Sequence, residues 1–121
     1  MVPATMRGLL IIPAYNEAEA LPHLLDELTA HPDWKVLVID DGSTDGTAEV
    51  SRAHRARVLK LARNLGIRGA VQAGLHVALR EGFDWAVQLD GDRQHPPAEV
   101  AQLLVPLADS AGSRDNPAKW T

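Results

Sequence analysis

The sequence predicts an α/β fold with a mainly parallel sheet flanked by helices. Three observations carry that reading. Short apolar runs alternate with stretches of helical period. The first two runs are continuously apolar and rich in Ile and Val, the pattern of strands buried on both faces. Turn-forming and charged residues cluster directly after the runs, where open α/β sheets hold their ligands.

The elements follow in order. The first strand is read over Gly8-Leu9-Leu10-Ile11-Ile12. Residues 17–30 place Ala18, Leu21, Leu24, Leu25 and Leu28 on one helical face, and Asn16 with Glu19 resembles a capping box. Lys35-Val36-Leu37-Val38-Ile39 is the second strand, and residues 46–55 a short, weaker helix. Arg57-Val58-Leu59-Lys60-Leu61 is the third strand. Residues 68–81 form a helix with Ala70, Val71, Leu75, Ala78 and Leu79 on one side and Gly82 as its stop. Trp85-Ala86-Val87-Gln88-Leu89 is the fourth strand. A fourth helix is expected from Pro96 or Pro97, carrying Val100, Leu103, Leu104 and Leu107. Residues 1–108 read as one domain, and residues 109–121 as a loosely ordered tail.

Composition narrows the function. The 121 residues carry 12 basic and 16 acidic side chains, a net charge of −4. Neither that balance nor the 3 Trp, 1 Tyr and 1 Phe suits a basic, base-stacking nucleic-acid surface. The absence of cysteine excludes disulfide scaffolds and Cys-ligated metal sites. No run approaches the roughly 18 apolar residues that cross a bilayer. No signal peptide is visible, and the expected location is the cytoplasm, at the inner face of the membrane if attached to it.

The chemistry-bearing residues lie after the strands. Asp90 and Asp92, at i and i+2, leave the same side of an extended backbone. Two hard carboxylates suit Mg²⁺ or Mn²⁺, whose shell a diphosphate completes; equally, both can cap the following turn. The adjacent pair Asp40-Asp41 suggests a cation or sugar hydroxyls as partners, while Asp-Gly-Ser-Thr-Asp-Gly is also a turn sequence in which Thr44 or Asp45 caps the next helix. An EF-hand reading fails, because Arg52 stands where a bidentate Glu is needed. Tyr15 can stack on a nucleobase or simply cover the sheet edge. Glu17 suits a first helical turn. Arg63 and Arg68 can bind phosphate or solvate a face. His95 reads more readily as a turn residue than as a catalyst. The Gly66, Gly69, Gly74 spacing does not form a dinucleotide fingerprint.

Together, four segments resemble the family 2 glycosyltransferases of GT-A fold. They are Ile11-Ile12-Pro13-Ala14-Tyr15-Asn16-Glu17, Val38-Ile39-Asp40-Asp41-Gly42-Ser43-Thr44-Asp45, Asn64-Leu65-Gly66 through Gly74, and Leu89-Asp90-Gly91-Asp92-Arg93-Gln94-His95-Pro96-Pro97. The last looks closest to the polyprenyl-phosphate sugar transferases. The resemblance spans roughly residues 8–108 and implies the nucleotide-binding half of a GT-A, Rossmann-like fold. It implies that Pro13, Tyr15, Glu17, Ile39 and Asp41 line the base and ribose of a UDP- or GDP-linked sugar. By the same resemblance Arg68 stands near the phosphates, Asp90 contacts sugar or ribose, and Asp92 and Gln94 hold Mg²⁺ or Mn²⁺. Asp90 and Asp92 are then the catalytic candidates for an inverting transfer to an acceptor such as a polyprenyl phosphate.

Against that pattern the chain ends early. Gly112-Ser113-Arg114 is expected without an apolar strand before it, so the acceptor-binding half would be missing and the sheet edge open to a second copy in a homodimer. Two rival readings remain at this stage. One is an inactive fragment or interaction module. The other is a phosphoacceptor receiver domain, suggested by Val36-Leu37-Val38-Ile39-Asp40-Asp41 followed by Asp90.

Overall fold

The computed structural model describes residues 7–31 and 33–89, and the backbone of residues 104–106. Within them the chain runs β1 (Gly8–Ala14), α1 (Leu21–Thr29), β2 (Trp34–Asp40), α2 (Thr47–Ala53), β3 (Arg57–Lys60), α3 (Gly66–Arg80), β4 (Trp85–Gln88) and β5 (Leu104–Pro106). One sheet holds the strands in the order β3-β2-β1-β4-β5. The first four strands are parallel, and β5 pairs antiparallel with β4.

The two faces of the sheet follow from alternation along β1. Leu10, Ile12 and Ala14 pack with Leu21, Leu24, Leu25 and Leu28 of α1. Leu9 and Ile11 pack with Ala70 and Ala78 of α3 on the opposite face. All of β1 is buried, as expected of a central parallel strand covered on both sides. The short edge strand β3 instead begins and ends on exposed Arg57 and Lys60, charges that discourage edge pairing.

Three expectations need correction. Leu104–Pro106, expected within a helix, is strand β5, so an apolar strand does precede Gly112-Ser113-Arg114. The run Leu103-Leu104-Val105-Pro106-Leu107 is continuously apolar, and the bare edge of β4 offers it a hydrogen-bonding partner. Pro106 is tolerated in such a strand only at an edge or an end. The expected helix start at Pro96 or Pro97 and the tail over 109–121 lie outside the described residues. Second, the Asn16–Glu19 capping box does not form. Helix α1 starts at Leu21, with Ala20 as N-cap and no side-chain cap, and the Glu17 carbonyl accepts the Ala20 and Leu21 amides. Third, α3 buries a seam of small residues, Ala70, Gly74 and Ala78, while Val71, Leu75 and Leu79 are only half-buried. The small seam lets the helix approach closely: a Cβ on Gly74 would lie 2.6 Å from Ile11 Cγ2.

The strand order also removes the receiver-domain reading. Receivers follow the order 2-1-3-4-5, with the third strand beside the first. Here β3 lies outside β2, and β1 and β4 are neighbours. That order has its switch point between β1 and β4, where ligands of doubly wound sheets bind.

Gly8 faces Trp85 across the β1–β4 pair, and a Cβ there would fall 1.8 Å from Trp85 Cζ2. Since the indole is buried, Gly8→Ala is expected to cost about 1–3 kcal/mol through overpacking. Urea unfolding followed by tryptophan fluorescence would measure it.

Candidate functional site

Parallel pairing carries β1 and β2 out of the sheet side by side, with Pro13 opposite Ile39 and Ala14 opposite Asp40. The Asp41 amide extends the ladder by donating to the Ala14 carbonyl, and the Leu61 amide donates to the Asp40 carbonyl. On the other side of β1, the Leu89 amide donates to the Ile11 carbonyl. The segments after β1, β2, β3 and β4 therefore leave from one edge.

Beyond that edge, two loops are stitched together by side chains. Asn16 takes a left-handed backbone, φ 53°, which Asn tolerates better than most residues. Its side-chain oxygen accepts the Thr44 amide at 2.8 Å, and its own amide donates to Ser43 Oγ at 2.9 Å. The Glu17 amide donates to Thr47 Oγ1, and the Ala18 amide to Asp45 Oδ2. Asp45 also accepts the Thr47 hydroxyl and the Thr47 amide, closing a turn ahead of α2. The sequence suggests Asn16 as a helix cap and leaves Thr44 or Asp45 open as another. Asn16 and Thr44 pair across 28 positions, and Asp45 joins its local contact with Thr47 to one with Ala18, 27 positions away. A left-handed-tolerant Asn facing a loop of three hydroxyls and an Asp was the available signal.

The paired aspartates occupy this rim with defined partners. Asp40 is 1% exposed, and its Oδ1 accepts the Ser43 amide. Asp41 is 4% exposed, and its two oxygens accept the Leu65 amide at 2.7 Å and the Gly66 amide at 2.9 Å. Backbone amides thus receive these carboxylates. Asp41 also places a negative charge at the N-terminus of α3, whose first turn has no acidic residue of its own. Gly42, with φ 80°, makes room for the third loop, since a Cβ there would meet the Asn64 nitrogen at 2.7 Å.

Of the predicted site residues, Pro13, Tyr15, Glu17 and Asp41 stand along this rim, with Arg68 in the first turn of the helix that Asp41 anchors. Tyr15 and Arg68 are exposed and Glu17 is half-buried. Ile39 is fully buried in the core beneath α3. Asp90, Asp92, Gln94 and His95 lie outside the described residues. Among the described residues, no group of three His, Asp or Glu side chains could hold a metal ion.

Residues 9–113 match the family described as Glycosyl transferase family 2. The chain belongs to that family. It is 41% identical over 121 residues to an undecaprenyl-phosphate mannosyltransferase of Micrococcus luteus, covering 93% of this chain and 50% of that protein. It is 39% identical to a polyprenol monophosphomannose synthase of Mycolicibacterium smegmatis, covering 85% of this chain and 42% of that one. Among solved structures it resembles the glucosyl-3-phosphoglycerate synthase of Mycobacterium tuberculosis in complex with Mn²⁺, UDP-glucose and phosphoglyceric acid. That likeness has a TM-score of 0.62 and 25% identity, over 73% of this chain and 34% of the other. The fold of this glycosyltransferase domain is GT-A. The chain spans about half or less of the length of these relatives.

Two expected outcomes test the rim. Asp41→Asn keeps one acceptor oxygen and turns an NH₂ toward a backbone amide. It is expected to lose about 1.5–3 kcal/mol, as for a hydrogen bond to a charged group, read by urea unfolding. The Asp45 carboxyl is held below its ordinary value of 3.8, chiefly by the Thr47 hydroxyl and also by the Ala18 and Thr47 amides. Its contribution is therefore present above the unfolded-state value and lost as pH falls through the lower folded-state value. Because Asp45 is exposed, the effect is small after solvent screening. Asp45→Asn should flatten the acid limb of the stability–pH curve below about pH 4 while leaving its slope near neutrality unchanged.

Proposed function

We propose that this chain is the donor-binding part of an inverting, metal-dependent glycosyltransferase. The donor is a nucleoside-diphosphate sugar linked to UDP or GDP, and the acceptor is a polyprenyl phosphate at the cytoplasmic face of a membrane. The observation that carries the reading is the rim at the carboxyl ends of the parallel strands, where side chains clasp the loops after β1, β2 and β3 together. The names of the Micrococcus and Mycolicibacterium relatives support the acceptor class. The Mn²⁺ and UDP-glucose bound by the Mycobacterium relative support a divalent metal and a nucleotide sugar.

In this reading each residue has a distinct task. Tyr15, half-exposed at the end of β1, stacks on the base. Pro13 and Glu17 shape the walls of the nucleoside pocket, and Ile39 supports it from the core beneath. Asp41 fixes the start of α3 and presents its remaining lone pairs to the base or ribose. Arg68 faces the diphosphate as a fixed positive charge. Asp90 orients the sugar, and Asp92 with Gln94 holds the metal. Asp40 and Asp41 are already engaged by backbone amides, which leaves the acidic pair after β4 as the better metal donors. When bound, the metal neutralises charge on the departing diphosphate.

Calorimetric titration of UDP- and GDP-sugars with Mn²⁺ tests the proposal. Metal-dependent binding that Asp92→Ala weakens at least about tenfold, with an unchanged circular-dichroism spectrum, is the expected outcome. No nucleotide binding under any condition would leave an interaction module as the better reading.

A further inference from the structure

Charge is distributed very unevenly along this chain. Residues 50–80 hold seven of the 12 Lys and Arg and none of the 16 Asp and Glu. They run from α2 through the edge strand β3 into α3, a basic stretch within a chain that carries −4 overall. Arg57 is neutralised by a two-pronged pair with Glu81. Lys60, Arg63 and Arg68 are exposed and make no ion pair among the described residues. They bracket the junction where β3 runs into α3. Among the described residues, the carboxylate that hydrogen-bonds to that junction is Asp41, and it is buried against the junction's amides.

Exposed apolar side chains gather at the same place. Among the described residues the large hydrophobics exposed to solvent are Tyr15, Leu65 and Ile67, the last two at 50% and 63%. All three stand at the rim. Leu65 and Ile67 lie between Arg63 and Arg68 in sequence, with exposed Gly66 between them. Aliphatic side chains flanked by cations match the water–lipid interface, where the apolar groups enter the acyl boundary and the cations meet phosphate.

We propose that the β3–α3 corner, with Lys60, Arg63, Leu65 and Ile67, docks on a bilayer rich in anionic lipid. This inference rests on the polyprenyl-phosphate reading above, because a lipid-borne acceptor must meet the donor rim at a membrane. The uneven charge makes docking orientational: the acidic remainder of the chain is repelled by the same surface that attracts this corner. The docked corner adjoins the rim through the Asp41 contacts to Leu65 and Gly66, so the face turned to the lipid is continuous with the proposed donor pocket.

The test is co-sedimentation of the 121-residue chain with phosphatidylcholine vesicles, with and without phosphatidylglycerol. Binding is expected only to the anionic vesicles. It should weaken as NaCl rises from about 0.1 to about 1 M, which shortens the screening length from about 10 to about 3 Å. Lys60→Glu should weaken it at least about fivefold, the factor that one basic residue contributes at such a surface, and Lys60→Arg should preserve it. Ile67→Ser should weaken it without changing the salt dependence. Circular dichroism confirms that each variant folds. No binding to anionic vesicles, or binding indifferent to both Lys60→Glu and Ile67→Ser, overturns the proposal. Displacement from vesicles by polyglutamate at equal charge also overturns it, in favour of an acidic protein partner. Nucleotide-sugar calorimetry without vesicles, run on the same variants, separates the two readings. Nucleotide binding without vesicle binding defeats only the docking proposal. Vesicle binding without nucleotide binding defeats only the donor reading.

Discussion

The carboxylate of Asp41 is the joint on which the rim depends. It leaves the end of β2 buried, and its two oxygens hold the amides of Leu65 and Gly66. A buried carboxylate is costly to leave unpaired. The three-residue span Asn64–Gly66 is therefore held wherever Asp41 is held, and α3 starts from there. Since β2 is fixed by seven register pairs with β1, the sheet transmits its order to the loop after β3 through this side chain as well as through the β2–β3 pairing.

Close approach is the second constraint, and glycine and alanine provide it. Ala70, Gly74 and Ala78 turn the smallest surface of α3 to the sheet, and Gly74 lies against Ile11. Gly8 does the same beneath the Trp85 indole, and Gly42 beneath the backbone of Arg63 and Asn64. Bulk that would otherwise fill the core, at Val71, Leu75 and Leu79, is displaced to the flanks of α3. A helix seated this near the sheet brings its first turn level with the strand ends, where Arg68 can face a ligand.

The clasp between the first two loops has a related consequence. Hydrogen bonds from Asn16, Glu17 and Ala18 to Ser43, Thr44, Asp45 and Thr47 fix the loops to one another rather than to solvent. A rim fixed before a ligand arrives loses less conformational entropy on binding.

Much of this architecture was written in local pattern. Continuous Ile and Val runs gave β1 and β2, and the helical period gave α1 and α3, because burial on two faces or on one stripe leaves a periodic trace. The convergence of the loops after β1, β2 and β3 also followed, since parallel strands must end on a common edge. The partners of the polar residues did not. Asn16 reads as a helix cap and Asp41 as a turn residue or ligand, because Asn and Asp satisfy amides locally and at long range with equal chemistry. Likewise Leu104–Pro106 has the apolar content of either helix or strand, and only the unpaired edge of β4 makes it a strand. Sequence thus determined the parallel α/β order of the first four strands and three helices, and the buried face of α1. Tertiary structure decided which backbone amide each buried carboxylate would meet, because that depends on distances between segments with no periodic signature along the chain.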